Sequence, residues 1–285
     1  MSELAKRVLV ALVGAPIVML VIWRGDAALA TLASVLAAVA SWEYFRIARQ
    51  GGSAPLAMVG VVGAAVIPLV VHAQFLGLVR VPPSAAMIVV LALLAIALWT
   101  RGAQGTPLTA VATTLFGMAY TGGALSYVYA LRYFGYAVGD TAGALVVIFP
   151  VVLTWASDIG AFFVGRAIGG PKLMPSISPG KTISGALGGL AATILVAELL
   201  VRLALRPYAQ LAFTSLGLVL FAIIISVVAQ IGDLAESMLK REAGVKDSGT
   251  LLPGHGGVLD RLDSLLFVVP VAYVLYGWLL IPAPV

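Results

Sequence analysis

Nine apolar runs alternate with polar breaks along this chain, at residues 8–23, 27–44, 55–71, 84–99, 108–131, 143–164, 183–203, 211–231 and 264–281. Each comes near the ~20 residues that cross a bilayer as a helix. Runs of this kind have to be helical, because lipid offers no partner for an open backbone N–H or C=O. The pattern therefore predicts an all-α, polytopic integral membrane protein with about nine transmembrane helices. The first run follows Lys6 and Arg7 and is longer than a secretory leader requires, so it reads as a retained helix. Most breaks are short. Two are long and polar, 165–182 and 236–263, and both lie in the second half. The chain thus reads as one membrane domain with an N-terminal scaffold half, residues 1–140, and a catalytic half, residues 141–285.

Composition sharpens this picture. Of the 285 residues 61% are hydrophobic and 10% charged, more apolar surface than a water-soluble fold has use for. No cysteine is present, which excludes disulfides, thiolate metal sites and thiol nucleophiles. Only His72 and His255 are histidines, so a bound metal should be a hard cation on carboxylate oxygens, such as magnesium. The net charge of +5 fits loops facing anionic lipid. Basic and aromatic residues do not interleave as they do on nucleic-acid surfaces, so no nucleic-acid partner is expected.

Lysine and arginine set the orientation. With nine spans and a cytoplasmic N-terminus, twelve of the 17 fall on the cytoplasmic side. Both long polar breaks then face the cytoplasm.

The second break holds the densest chemistry. Six of the twelve acidic residues lie between Asp233 and Asp263. If the eighth helix continues past the membrane edge, Asp233, Ser237 and Lys240 share a face at i, i+4, i+7, with Arg241 beside it. Asp260 and Asp263, at i, i+3, open the ninth helix. Carboxylates ~4 Å apart repel by about 4 kcal/mol at an effective dielectric of 20. A convergent set of Asp233, Asp260 and Asp263 therefore calls for divalent metal. The competing arrangement is a set of separate ion pairs with Lys240, Arg241 and Arg261. Gly254, Gly256 and Gly257 flank His255 in a turn able to aim N–H groups at an anion, with Lys240, Arg241, Lys246 and Arg261 around it. His255 could donate to a phosphate or simply shape the turn.

A second cluster gathers at Asp158 and the break after it. An acid at that depth costs ~3 kcal/mol and calls for a partner. Lys172, Ser176, Ser178, Lys181 and Thr182 follow. Gly180-Lys181-Thr182 resembles the end of a P-loop, but Pro175 stands where glycine is needed and no strand is expected before it. A Lys/Ser/Thr group opening a helix suits an anion, and equally a lipid-facing basic loop. Glu43 is expected to pair with Arg46, and Glu198 with Arg202. These, with His72, read as structural. Gly185 and Gly189 read as a close helix contact.

The segment Ser237-x-Leu239-Lys240-Arg241, Lys246-Asp247-x-Gly249, Leu252-Pro253-x-His255-Gly256-Gly257-Val258-x-Asp260-Arg261-Leu262-Asp263 resembles the signature of the phosphatidate cytidylyltransferase (CDP-diacylglycerol synthase) family. Ser157-Asp158, Gly165-Arg166 and Ser178–Thr182 resemble it too; Ile159 and Phe162 depart from the more usual threonine and tyrosine. The resemblance implies an enzyme of the inner membrane, with a cytoplasmic active site, that condenses CTP with phosphatidic acid to CDP-diacylglycerol and pyrophosphate. It implies magnesium, with room for a second cation, and a homodimer among membrane lipids. It implies metal ligation by Asp233, Asp260 and Asp263 and catalytic roles for Lys240, Arg241, Lys246, Asp247, His255 and Arg261. Substrate contacts fall to Asp158, Ser178, Lys181, Thr182, Ser237, Gly256 and Gly257. A transporter is the competing class, but transporters place polar sites at mid-membrane, commonly with repeat symmetry.

Overall fold

The computed structural model describes residues 3–102, 104–251 and 256–283. Each apolar run is mostly helical, with extended backbone at 211–213 and 280–281. The helices are α1 (Glu3–Arg24), α2 (Asp26–Gln50), α3 (Ala57–Phe75), α4 (Ala85–Arg101), α5 (Pro107–Met118), α6 (Ala124–Arg132), α7 (Gly139–Ile168), α8 (Ile183–Leu200), α9 (Ser215–Glu242) and α10 (Leu259–Leu279). A π turn at Ala119–Gly123 joins α5 to α6, and another, Val201–Ala209, continues α8. Among the described residues, seven helical stretches are long and apolar enough to cross a membrane: Asp26–Gln50, Ala57–Phe75, Pro107–Arg132, Gly139–Ile168, Ile183–Ala209, Ser215–Glu242 and Leu259–Leu279. The apolar stretch Gly14–Arg24 and α4 are shorter. At ~1.5 Å per residue, 17 residues span about 26 Å, less than the ~30 Å hydrocarbon core.

Short strands punctuate the helices. β1 (Lys172–Met174) pairs antiparallel with β2 (Ser178–Thr182), and β3 (Leu211–Phe213) with β4 (Leu280–Pro282). The first hairpin corrects the expectation that no strand precedes Gly180-Lys181-Thr182. Its cause is local: Pro171, Pro175 and Pro179 recur every fourth residue, which bars a helix and leaves extended backbone.

The chain folds as two compact units. One comprises Met1–Ile17, Asp26–Tyr129 and Leu239–Leu262; the other Val18–Gly25, Ala130–Met238 and Asp263–Val285. In the first unit Leu56, Leu93, Ala97, Val111 and Met118 form an apolar core. Its buried polar groups are satisfied across helices: Ser34 Oγ donates to the Ala65 carbonyl (2.7 Å) and the Leu56 N–H to Thr114 Oγ1 (2.9 Å). His72 shares a hydrogen bond with the Tyr129 hydroxyl (2.7 Å), a structural role as expected.

In the second unit Phe149, Phe213, Phe221 and Tyr276 pack as an aromatic core, and the Tyr276 hydroxyl donates to the Val146 carbonyl (3.0 Å). Buried Arg132 caps the end of α1 through the Ile22 and Trp23 carbonyls and pairs with Asp140 (2.8 Å). Glu198 pairs with Arg202 one turn on (2.5 Å). Helices α7 and α8 cross closely. A Cβ at Gly185 would lie 2.8 Å from the Ala161 carbonyl oxygen, and one at Gly189 2.7 Å from that of Ser157. The Gly185/Gly189 pair is therefore a packing seam. Gly189→Val should destabilise the protein by about 2 kcal/mol or more, since neither backbone can yield. Thermal unfolding in detergent should show a lower midpoint; an unchanged midpoint would mean the crossing is looser than this.

Candidate active site

Two polar constellations stand out, one in each unit. The first surrounds Asp260. Helix α9 runs unbroken to Glu242, past the end of its apolar run at 231, and so carries Lys240 out on ordered backbone. Asp260 opens α10. The Lys240 ammonium donates to Asp260 Oδ1 (2.7 Å), while the N–H groups of Ser248 (2.9 Å) and Gly257 (2.8 Å) and the Ser248 hydroxyl (2.9 Å) donate to Oδ2. Both Lys240 and Asp260 are buried. A buried ion pair is sustainable only with further hydrogen bonds of this kind. Gly256 sits at φ +79°, a conformation that disfavours other residues, and a Cβ there would lie 2.7 Å from Asp260 Oδ2. The glycines thus admit a carboxylate of the protein itself. The N–H of Gly257 is directed at Asp260, not left open toward a substrate anion.

Glu43 completes this constellation. Its fully buried carboxylate accepts from the Ser248 hydroxyl (3.1 Å) and from the N–H groups of Val258 (3.1 Å) and Leu259 (2.7 Å). Arg46, one turn along α2, donates to the Ser248 carbonyl (2.8 Å). Glu43 and Arg46, expected to serve one another, both grip Ser248. Sequence reasoning missed Ser248, an unassigned position inside the signature, and gave Glu43 a purely structural role. Around this core Arg241, Lys246, Asp247 and Arg261 are exposed, and Arg241 also donates to the Val245 carbonyl (3.0 Å). His255 lies outside the described residues.

The second constellation lines a cavity of about 590 Å³, a common size for a small-molecule site. Its walls include Asp158 and Arg166 from α7, Lys172 and Lys181 from the hairpin, Thr182 at the start of α8, and Gln230 and Asp233 from α9. Lys181 Nζ meets Asp233 Oδ2 at 2.7 Å, and the Ser237 hydroxyl approaches Asp233 Oδ1 at 3.4 Å. Thr182 caps α8, its hydroxyl accepting from the Gly185 N–H (3.1 Å). Gln230 is fixed by the Ala186 carbonyl (3.3 Å) and Ser226 (3.2 Å), and Ser226 by Ser157 (2.9 Å). Ser178 lies half-buried in β2. Phe162, where tyrosine is more usual, lines the cavity and lies under the Arg166 guanidinium at 6.0 Å.

Asp263 belongs to this second unit, close to Asp233 along the backbone. Gly232 packs so tightly on the start of α10 that a Cβ there would be 2.9 Å from the Asp263 carbonyl oxygen. The Ser264 N–H donates to Asp263 Oδ1 (2.6 Å). Among the described residues, no three His, Asp or Glu side chains gather closely enough to hold an ion. Asp233 and Asp260 are engaged by lysines, as the ion-pair alternative anticipated in kind, although Asp233 takes Lys181 from the hairpin. As hard oxygen donors these aspartates suit magnesium. Asp233, with one strong partner, has more acceptor capacity left than Asp260, which has four donors within hydrogen-bond distance, one of them the Ser248 hydroxyl shared with Glu43.

Comparison with known proteins bears on the chain's family. A model of the family described as "Cytidylyltransferase family" matches residues 5–279. A protein of Brucella suis named "Phosphatidate cytidylyltransferase" is 48% identical over 135 residues, 47% of each chain. One of the same name from Bacillus subtilis is 45% identical over 136 residues, 48% of this chain and 49% of its own. Another from Staphylococcus epidermidis is 41% identical over 161 residues, 56% and 57% respectively. The chain thus aligns with about half the length of these relatives. The family match, by contrast, runs through both units and both constellations, and on it the chain belongs to the cytidylyltransferase family.

Proposed function

We propose that the protein transfers the cytidylyl group of CTP to the phosphate of phosphatidic acid, yielding CDP-diacylglycerol and pyrophosphate. The observation that carries this reading is the cavity lined by Arg166, Lys172 and Lys181 together with Asp158 and Asp233, where Lys181 pairs with Asp233. Cations opposite carboxylates suit a substrate that is itself a polyanion accompanied by a divalent ion. The relatives' names point to the same chemistry.

The lipid's phosphate oxygen attacks the α-phosphorus, and pyrophosphate leaves. A phosphate monoester has a second pKa of ~6, so the attacking group needs no strong base. The protein's task is to bring two anions together and to stabilise the charge on the departing pyrophosphate. Lys181, Lys172 and Arg166 are suited to hold phosphates in the cavity, with Ser178, Thr182 and Ser237 as neutral donors. Lys240, Arg241, Lys246 and Arg261, with Asp247, Gly256, Gly257 and His255, form the signature segment's contribution. Mg²⁺ would be held by Asp233, the cavity aspartate with acceptor capacity left, with room for a second cation. Bound there, the ion would neutralise phosphate charge and polarise the reacting phosphoryl group. Lys181, whose ammonium stands 2.7 Å from Asp233 Oδ2 in the same cavity, is placed to hold a phosphate of the nucleotide. In this reading the apolar runs give nine spans, the distribution of Lys and Arg a cytoplasmic N-terminus and a cytoplasmic active site, and the family resemblance the inner membrane. A homodimer within the lipid is part of the same reading, and nucleic acid has no place in it.

Purified protein given CTP, Mg²⁺ and a panel of lipid phosphates tests this. CDP-diacylglycerol formed from phosphatidic acid is the expected product. CDP with a phosphorylated lipid would indicate a kinase, and no consumption of CTP would overturn the proposal.

A further inference from the structure

We propose that Glu43 is a positioning residue for this reaction, a clamp from α2 that holds the signature segment in its working shape; the inference rests on the function proposed above. Glu43 lies in the half of the chain that carries no recognised motif, yet its carboxylate is fully buried and bonded to Ser248, Val258 and Leu259. Three donors converge on it: the Ser248 hydroxyl, and the N–H groups of Val258 and Leu259 where α10 begins. A helix's opening N–H groups have no partner within the helix and carry partial positive charge, so an acid there both satisfies and anchors them.

The anchoring passes directly to Asp260. Its N–H approaches the Ser248 hydroxyl at 3.3 Å, and that hydroxyl stands 2.9 Å from Asp260 Oδ2 and 3.1 Å from Glu43 Oε2. One hydroxyl carries one proton, so Ser248 links the two carboxylates and serves one at a time. Gly257 allows the approach, since a Cβ there would lie 2.5 Å from Glu43 Oε2. Arg46 holds the Ser248 carbonyl from the same helix. In these contacts Glu43 meets Ser248 and the start of α10. Its effect on catalysis therefore runs through Ser248 and the α10 start, which set where Asp260 and its partner Lys240 stand.

Glu43→Gln turns an acceptor-only group into one that points an NH₂ at N–H donors. In purified Glu43→Gln, kcat for CDP-diacylglycerol formation should fall at least tenfold, with KM for CTP and for phosphatidic acid within twofold of the wild type. Amide exchange in residues 256–262 should accelerate at least tenfold while α7 and α8 keep wild-type protection. Glu43→Asp, which keeps the charge on a shorter arm, should restore part of both. A wild-type kcat in Glu43→Gln, or exchange that rises equally throughout the protein, would overturn the inference. If the wild type forms no CDP-lipid while exchange responds as stated, the clamp stands and the proposed reaction falls.

Discussion

Asp260→Asn should lower the rate of CDP-diacylglycerol formation by about a thousandfold in protein that remains inserted and folded. The substitution keeps the side chain's shape and removes its charge. One amide oxygen can still accept from the Ser248 and Gly257 N–H groups, but the NH₂ then faces the Lys240 ammonium, which loses its acceptor 2.7 Å away. Breaking a buried pair from one side costs about 3–5 kcal/mol, which corresponds to two to four orders of magnitude when borne by the transition state. Any ion held by this carboxylate is weakened as well. Initial rates at saturating substrates, beside a thermal midpoint for the same preparation, give the answer. A folded variant that retains a tenth of the wild-type rate would remove Asp260 from the mechanism.

Lys181→Met should lower kcat/KM for CTP by about 30- to 100-fold, the scale of one charge-assisted hydrogen bond to phosphate. Methionine keeps the length and apolar stem of lysine and removes its ammonium. Stability should barely change. The Lys181–Asp233 pair is about a third exposed on each side, and pairs of that kind contribute at most about 1 kcal/mol. The variant thus separates substrate binding from folding, which Asp260→Asn does less cleanly. Steady-state kinetics with CTP varied at fixed lipid would measure it. A ratio within threefold of the wild type would assign the lysine to Asp233 alone.

What the sequence made legible was whatever is local. Apolar runs marked the helices, since a spanning helix satisfies its own backbone. The i, i+4, i+7 placement of Asp233, Ser237 and Lys240 presupposed a helix extending beyond its apolar run, and α9 does extend to Glu242. Gly185 and Gly189 announced a helix contact by their spacing. Long-range partners left no such trace. Glu43 and Ser248 are 205 residues apart, and nothing near Glu43 signals its partner except an arginine one turn on, which proves to grip the same serine. Lys181 looked like the end of a phosphate loop, whereas its partner Asp233 comes from a helix half a hundred residues later. Gly232, lodged against Asp263, was hidden because a single glycine at the end of an apolar run is too common to single out. The β1–β2 hairpin was written in three evenly spaced prolines, which bar a helix without saying what pairs.

The central claim is a transfer of cytidylyl to a lipid phosphate, and CTP labelled separately at its α- and γ-phosphorus tests it most directly. With purified protein, Mg²⁺ and phosphatidic acid, the α label should enter CDP-diacylglycerol as the γ label appears in pyrophosphate, one for one. Entry of the γ label into lipid, or release of CDP and inorganic phosphate, would contradict the account.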